Sequence, residues 1–374
     1  MWLGGAAMIS QITAAVASFF TCWLAIVALR PLAIAVDLVD RPGGRKVHHG
    51  DIPVVGGLAM FLGVVLGMGL LPLPGASSGA FLAACAILVT VGLIDDRFDL
   101  SPWTRLAGQI AAAVVLVIGS GAMVVTLGNP LGTGAVYFSE YGAIAFTIFI
   151  VIAAINAFNM LDGTDGLAGT VALTSFLAIA YVSYTAGLMM PLTISLVMIG
   201  AVCAFLLFNV PLRRNATAEC FMGDAGSTLL GFSVAWLCIQ ISQGIPKPVT
   251  SVTVLWFVAL PLYELVWSTI RRVIRGVSPF KADTDHFHHM LLKAGFGPRG
   301  AFAVFATLTC ALAGVGLLCR RYGLPDRASL VLLAVFGYAT IRLMYRARLI
   351  WALVPESVRR GRGRAPDPLD QSPS

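Results

Sequence analysis

Carboxylates gather at the ends of apolar runs in this chain, where a hydrophobic sequence has most reason to exclude them. Asp95-Asp96 closes one run, Asn159-Met160-Leu161-Asp162-Gly163-Thr164-Asp165-Gly166 separates two others, and Phe221-Met222-Gly223-Asp224 opens another. Ionisable groups near membrane depth are costly and usually functional. Carboxylates with an amide oxygen are the donors that a hard ion such as Mg²⁺ prefers. Asn159, Asp162 and Asp165 recur every third residue, so a helical turn puts them on one face. Gly163, Gly166 and Gly169 permit tight turns and close approach of backbone to a ligand. Asp95 and Asp96, if helical, point about 100° apart. They therefore suit neighbouring tasks, metal binding and the positioning of a phosphate, rather than one point. Asp224 is placed to coordinate a metal and Phe221 to stack on a base, while the amides of Gly226 and Ser227 at a helix start suit phosphate. Each motif also has an ordinary reading as a solvated helix end, a polar loop or an N-capping aspartate.

Basic and imidazole groups supply the complement. His286-Phe287-His288-His289 puts three histidines in four residues. No cysteine lies close and the acidic motifs offer oxygen, so phosphate binding or proton handling fits better than zinc. Arg271, Arg272 and Arg275 add charge suited to phosphate, and Glu264, about two turns before Arg271, could pair with a cation or assist the site. Arg45 and Lys46, in the loop 37–57, could hold an anionic headgroup or a diphosphate, although a cytoplasmic loop is expected to be basic in any case.

The elements that position these groups are membrane helices. Of the 374 residues, 58% are hydrophobic and 11% charged, against about 25% charged in soluble domains. Mean hydropathy is +0.87. Runs of the ~20 residues that cross a bilayer recur, without the alternation of a β-barrel. The expectation is an all-α polytopic membrane protein with about eleven transmembrane helices. They fall near 9–30, 54–71, 79–95, 105–125, 142–159, 166–186, 190–208, 225–242, 250–272, 301–319 and 328–346. With the N-terminus out and the C-terminus in, 21 of the 25 Lys and Arg lie on the inner side, and so does every acidic motif. Residues 1–350 read as one membrane domain and 351–374 as a disordered cytoplasmic tail. Segment 126–141 reads as a short outer hairpin. The net charge of +7 is spread over the loops of one side, which argues for a membrane setting and no nucleic acid. The seven cysteines lack paired spacing and read as small apolar residues. The unbroken first run, with no Lys or Arg before it, argues against a cleaved signal peptide. The sequon Asn215-Ala216-Thr217 falls inside and is discounted.

Taken in order, five segments resemble the polyprenyl-phosphate N-acetylhexosamine-1-phosphate transferase family, closest to its undecaprenyl-phosphate N-acetylglucosamine-1-phosphate branch. They are Arg45-Lys46 before Pro53 and Gly56-Gly57; Asp95-Asp96; Asn156 to Leu167; Phe221 to Ser227; and His286 to His289. The resemblance runs from about Asp40 to Phe296. It implies a Mg²⁺-dependent glycosyl-1-phosphate transferase, with Mn²⁺ as a substitute, in the bacterial inner membrane with its site facing the cytoplasm. Its partners would be a UDP-N-acetylhexosamine, undecaprenyl phosphate and membrane lipid. A homodimer is compatible with the family, though no interface is readable. The product would be a lipid diphosphate-linked sugar that initiates cell-envelope polysaccharide synthesis, such as lipopolysaccharide.

Residue by residue, Asp224 and Asn159 match metal positions, and Asp95 and Asp96 the catalytic pair, joined by His288 and His289. Lys46, Asn159, Asp162, Asp165, Phe221, Arg271, Arg272 and His286 fall on the substrate side. Glu264 departs from an aspartate frequent in the related branch. The histidine run sets a phospho-N-acetylmuramoyl-pentapeptide transferase behind. A transporter or flippase would place its acids near the bilayer midplane rather than at one face.

Overall fold

The computed structural model describes residues 5–41, 50–71, 75–210, 218–276, 286–347 and 353. Lys46 with Arg45, the Ser278-Pro279-Phe280 turn, the sequon and the tail beyond Leu353 fall outside the described residues.

Helices run as α1 (Gly5–Ala35), α2 (Gly56–Gly69), α3 (Gly75–Phe98), α4 (Pro102–Ser120), α5 (Glu140–Leu161), α6 (Leu167–Ala186), α7 (Met189–Asn209), α8 (Gly223–Gln243), α9 (Ser251–Phe257), α10 (Ala259–Ile274), α11 (Phe287–Lys293), α12 (Pro298–Arg321) and α13 (Asp326–Tyr345). Two antiparallel pairs complete the chain: β1 (Val39–Asp40) with β2 (Ile52–Pro53), and β3 (Thr126–Gly128) with β4 (Val136–Tyr137). The latter is the expected hairpin. Start signals are local. The Ser101 side chain accepts from Thr104 N with Pro102 following it, Ser139 accepts from Gly142 N ahead of α5, and Thr250 accepts from Thr253 N ahead of α9.

The protein is all-α and multi-pass. Among the described residues nine helices are long and apolar enough to cross a membrane. Two expected spans differ. The 14 residues of α2, at ~1.5 Å each, fall short of a ~30 Å hydrocarbon core. The segment read as a straight span over 250–272 is broken at Val258, where α9 and α10 meet at 89°. Pro261 explains the break. It has no N–H to donate, so it fits the first turn of a new helix and not the middle of a continuous one. Past the bend, α10 buries Glu264, Ser268 and Arg271 and exposes Val266, Ile270 and Val273. That is an amphipathic helix, so the expected span is bent rather than straight.

The fold is built around α8, whose side chains are buried almost throughout. Small residues let its neighbours approach, the usual means of packing where lipid removes the hydrophobic drive between helices. A Cβ on Gly231 would lie 2.8 Å from Ala154 O of α5, and one on Gly57 would lie 2.3 Å from Gly226 N. Gly92 of α3 sits against the backbone of Ala225, 2.4 Å from where its Cβ would be. Deeper in, Phe81 stacks on Trp236 with ring centres 4.6 Å apart. The two ends of the bundle are chemically distinct. At one, Gln243 donates to Thr126 O (3.1 Å) and Ser251 Oγ (2.9 Å), and Asn129 N donates to Asp326 (2.9 Å). The acidic motifs are all at the other.

Gly92→Ala should therefore force α3 from α8. Overpacking of this kind costs about 1–3 kcal/mol, so a lower Tm in detergent is expected. A wild-type Tm would mean that the two helices are not packed this closely.

Candidate active site

Backbone pairing shapes the floor of the site. Phe221 N donates to Pro53 O (3.0 Å), Gly56 N to Phe221 O (2.9 Å) and Gly57 N to Met222 O (3.1 Å). The Pro53–Gly57 strip thus runs beside Phe221-Met222, joining two motifs far apart in sequence. Asn209, buried at the end of α7, ties a third. Its Oδ1 accepts from Gly166 N (2.6 Å) and its Nδ2 donates to Cys220 O (2.9 Å).

Asp95 and Asp96 diverge as adjacent helical residues must. Asp95 is buried, with Oδ1 accepting from Leu100 N (2.7 Å) and Oδ2 from Arg105 Nη1 (3.3 Å). Asp96 reaches α8 instead. Its carboxylate accepts from Asp224 N (2.8 Å) and, more weakly, Ala225 N (3.4 Å), capping that helix from another. Gly223, with φ +65°, makes the turn, and a Cβ there would lie 2.3 Å from Asp96 Oδ2. Asp224, in the first turn of α8, is held on both oxygens. Asn159 Nδ2 donates to Oδ1 (2.5 Å) and also to Ser227 Oγ (3.0 Å), while Arg105 Nη1 lies 3.6 Å from Oδ2.

Asp162 follows α5 at its C-terminal cap and is half-buried. Burial, and then the nearby carboxylates of Asp224, Asp96, Asp165 and Asp40, push its pKa well above the usual carboxylate range. Four acids therefore act on a fifth, with Arg105 beside Asp224. Among the described residues no three His, Cys, Asp or Glu side chains already close on one ion-sized point. The donor chemistry, carboxylates with an amide, nevertheless suits a hard divalent cation.

The histidines cover this acidic loop. A Cβ on Gly163 would lie 2.6 Å from His288 Cε1 and Nε2, so the ring rests on the glycine. His288 is buried, and neither ring nitrogen has a hydrogen-bond partner among the described residues. Burial, with the His289 and His286 rings alongside, pushes its pKa down to about 3, so it is neutral at physiological pH. His289 lies 4.1 Å from it and His286 5.8 Å, centre to centre. Arg271, buried, and Arg272, half-buried, end α10.

Of the residues expected from sequence, Asp96, Asn159, Asp162, Asp165 and Asp224 are brought within one electrostatic neighbourhood, with Asp95 joined to it through Arg105. The Phe221 backbone borders it and His288 overlies it. Arg105 and Asn209 were missed as site residues. A lone asparagine closing an apolar run was a readable signal, whereas nothing in the sequence singles out Arg105.

Comparison with known proteins places the chain among its relatives. Residues 78–242 match the model of glycosyl transferase family 4. The undecaprenyl-phosphate alpha-N-acetylglucosaminyl 1-phosphate transferase of Escherichia coli (strain K12) is 36% identical over 343 residues, covering 90% of this chain and 93% of that protein. The protein of that name from Salmonella typhimurium (strain LT2) is 35% identical over 96% of this chain and 99% of its own. That from Haemophilus influenzae is 34% identical over 84% and 88%.

Asp96→Ala strips two first-turn amides of their acceptor. Orphaning such groups costs about 1–3 kcal/mol, so a lower Tm is expected, with Asp96→Asn, which keeps an acceptor oxygen, intermediate. Equal stability of all three proteins would show that Asp96 does not hold α8.

Proposed function

The chain belongs to glycosyl transferase family 4, and from that premise we propose that it transfers N-acetylglucosamine-1-phosphate from UDP-N-acetylglucosamine to undecaprenyl phosphate. UMP leaves, and undecaprenyl diphosphate-linked N-acetylglucosamine remains, the lipid-linked starter for an envelope polysaccharide. The reading is carried by the convergence of Asp96, Asp162 and Asp224 with Asn159 at one end of a membrane bundle. The relatives' names favour N-acetylglucosamine over a pentapeptide-bearing sugar. We place the chain in the inner membrane with the acidic end in the cytoplasm, because the basic residues concentrate on that side.

In the reaction a phosphate oxygen of the lipid attacks the sugar-bearing β-phosphorus of the donor. The bond from that phosphorus to the bridging oxygen breaks, and UMP departs with the electron pair. Both reactants are anions, so the site must lower their repulsion. Asp224, Asp162 and Asn159 would hold Mg²⁺, or Mn²⁺ in its place, which when bound draws charge from the diphosphate onto UMP. Arg105, already beside Asp224, neutralises phosphate oxygens, with Lys46, Arg271 and Arg272 as further cations. Asp96 fixes α8 so that Asp224 and the following turn face the donor. Asp95, beside Arg105 and the Asp224 carboxylate rather than on the first-turn amides of α8, is the one of the pair that we assign to positioning the lipid phosphate. That phosphate's second pKa is near 6, so it is largely dianionic at neutral pH and asks little of a base. Phe221 offers its ring to the uracil, and Asp165 lies on the loop beneath. His288 and His289 are placed to meet donor oxygens, with open nitrogens on His288.

With UDP-N-acetylglucosamine, undecaprenyl phosphate and Mg²⁺, the purified protein should release UMP and form a lipid of the predicted mass. Asp224→Ala should lower turnover roughly 100-fold or more, and EDTA should abolish it until Mg²⁺ or Mn²⁺ is restored. Wild-type turnover by Asp224→Ala would remove Asp224 from this role, and full turnover in EDTA would remove the metal.

A further inference from the structure

The carboxylate of Glu264 is fully buried and lies outside the aspartate cluster. Both its oxygens are engaged by one short element. Oε1 lies 2.8 Å from His286 Nδ1, and Oε2 accepts from Phe287 N at 3.0 Å. The second contact caps the start of α11, and the first fixes a ring. With Glu264 taken as the ionised acceptor, which has no hydrogen to give, and His286 as a neutral ring, the proton of that bond belongs on His286 Nδ1. In the neutral ring Nε2 is then a lone-pair acceptor. It has no partner among the described residues, and the side chain retains 13% exposure. Stacked on His286 at 13° is His288, buried, with neither ring nitrogen partnered, resting on Gly163 of the acidic loop. Two imidazoles with open nitrogens therefore overlook the site from an element whose start is held by one side chain on α10.

We propose that Glu264 is a positioning residue for sugar-nucleotide binding. By taking the Nδ1 proton it fixes the His286 tautomer that offers Nε2 to an O–H or N–H of the donor. By taking the Phe287 amide it sets His288 over Gly163. The inference rests on the transferase reading above. It concerns hydrogen bonding to the donor's sugar or uracil, not to its phosphates, because an unprotonated Nε2 cannot donate to a phosphate oxygen.

Glu264→Gln discriminates this role from simple packing. The amide has the same shape but one acceptor and one donor. If its oxygen keeps Phe287 N, its NH₂ must give to His286 Nδ1, which moves the ring proton to Nε2 and reverses that atom from acceptor to donor. Glu264→Asp is one methylene shorter but keeps two acceptors, and so keeps the tautomer. The expected result is a KM for UDP-N-acetylglucosamine raised roughly tenfold to hundredfold in Glu264→Gln, the worth of a hydrogen bond to a buried group. Its KM for undecaprenyl phosphate should stay near wild type, with Glu264→Asp retaining more donor affinity than Glu264→Gln. Unchanged donor KM in Glu264→Gln, a change confined to the lipid KM, or Glu264→Asp faring worse than Glu264→Gln would overturn the proposal. If Glu264→Gln lowers the Tm, His286→Gln with Glu264 intact decides. A wild-type donor KM there overturns the role, and a raised one upholds it. Failure of the wild-type protein to turn over UDP-N-acetylglucosamine would sink the transferase reading itself, a separate outcome.

Discussion

The hydrogen bonds from the first-turn amides of α8 to Asp96 are the interaction on which the site depends. They join α3 to α8 at the level where both helices leave the apolar layer. A carboxylate is tolerated there because helix N-termini carry partial positive charge and unpaired N–H groups. Once Asp96 is so placed, Asp224 projects from the same turn toward Asn159 of α5, and Arg105 of α4 closes on it from the other side. Four helices thereby meet at one point with little bulk between them, which is why Gly57, Gly92, Gly223 and Gly226 line the junction.

Division of labour follows from helix geometry. Neighbouring aspartates cannot face the same way, and here one seals a helix junction while the other stays with Arg105 and the turn into α4. The arrangement leaves Asp162 with several negative neighbours and, among the described residues, no ion pair of its own. Like charges this close favour uptake of either a proton or a cation. A divalent cation is the partner that the proposed reaction would supply to meet that demand.

Much of this was legible in the sequence. Hydrophobic runs of spanning length mark most helices, and acids at their ends mark the functional face. Asn159, Asp162 and Asp224 announce themselves because oxygen donors are rare in so apolar a chain. Other features were not legible because they depend on packing. The 89° break at Val258 lies within a run that is apolar on average, and only Pro261 hints at it. Arg105 reads as one more cytoplasmic arginine until α4 is folded against α3. Glu264 reads as an acid that could pair with a cation or assist the site, and its partners appear only when α11 returns to it from beyond the loop that separates them. Short range in sequence gave the groups, whereas long range in sequence gave their partners.

The central claim is that carboxylates from separate helices share one cation. Mn²⁺ affinity, followed by electron paramagnetic resonance in wild type, Asp162→Asn, Asp224→Asn and the double variant, tests it directly. The account predicts one site that either single change weakens, with the double change costing clearly less than the sum of the two. Strictly additive losses, or affinity indifferent to both residues, would contradict it.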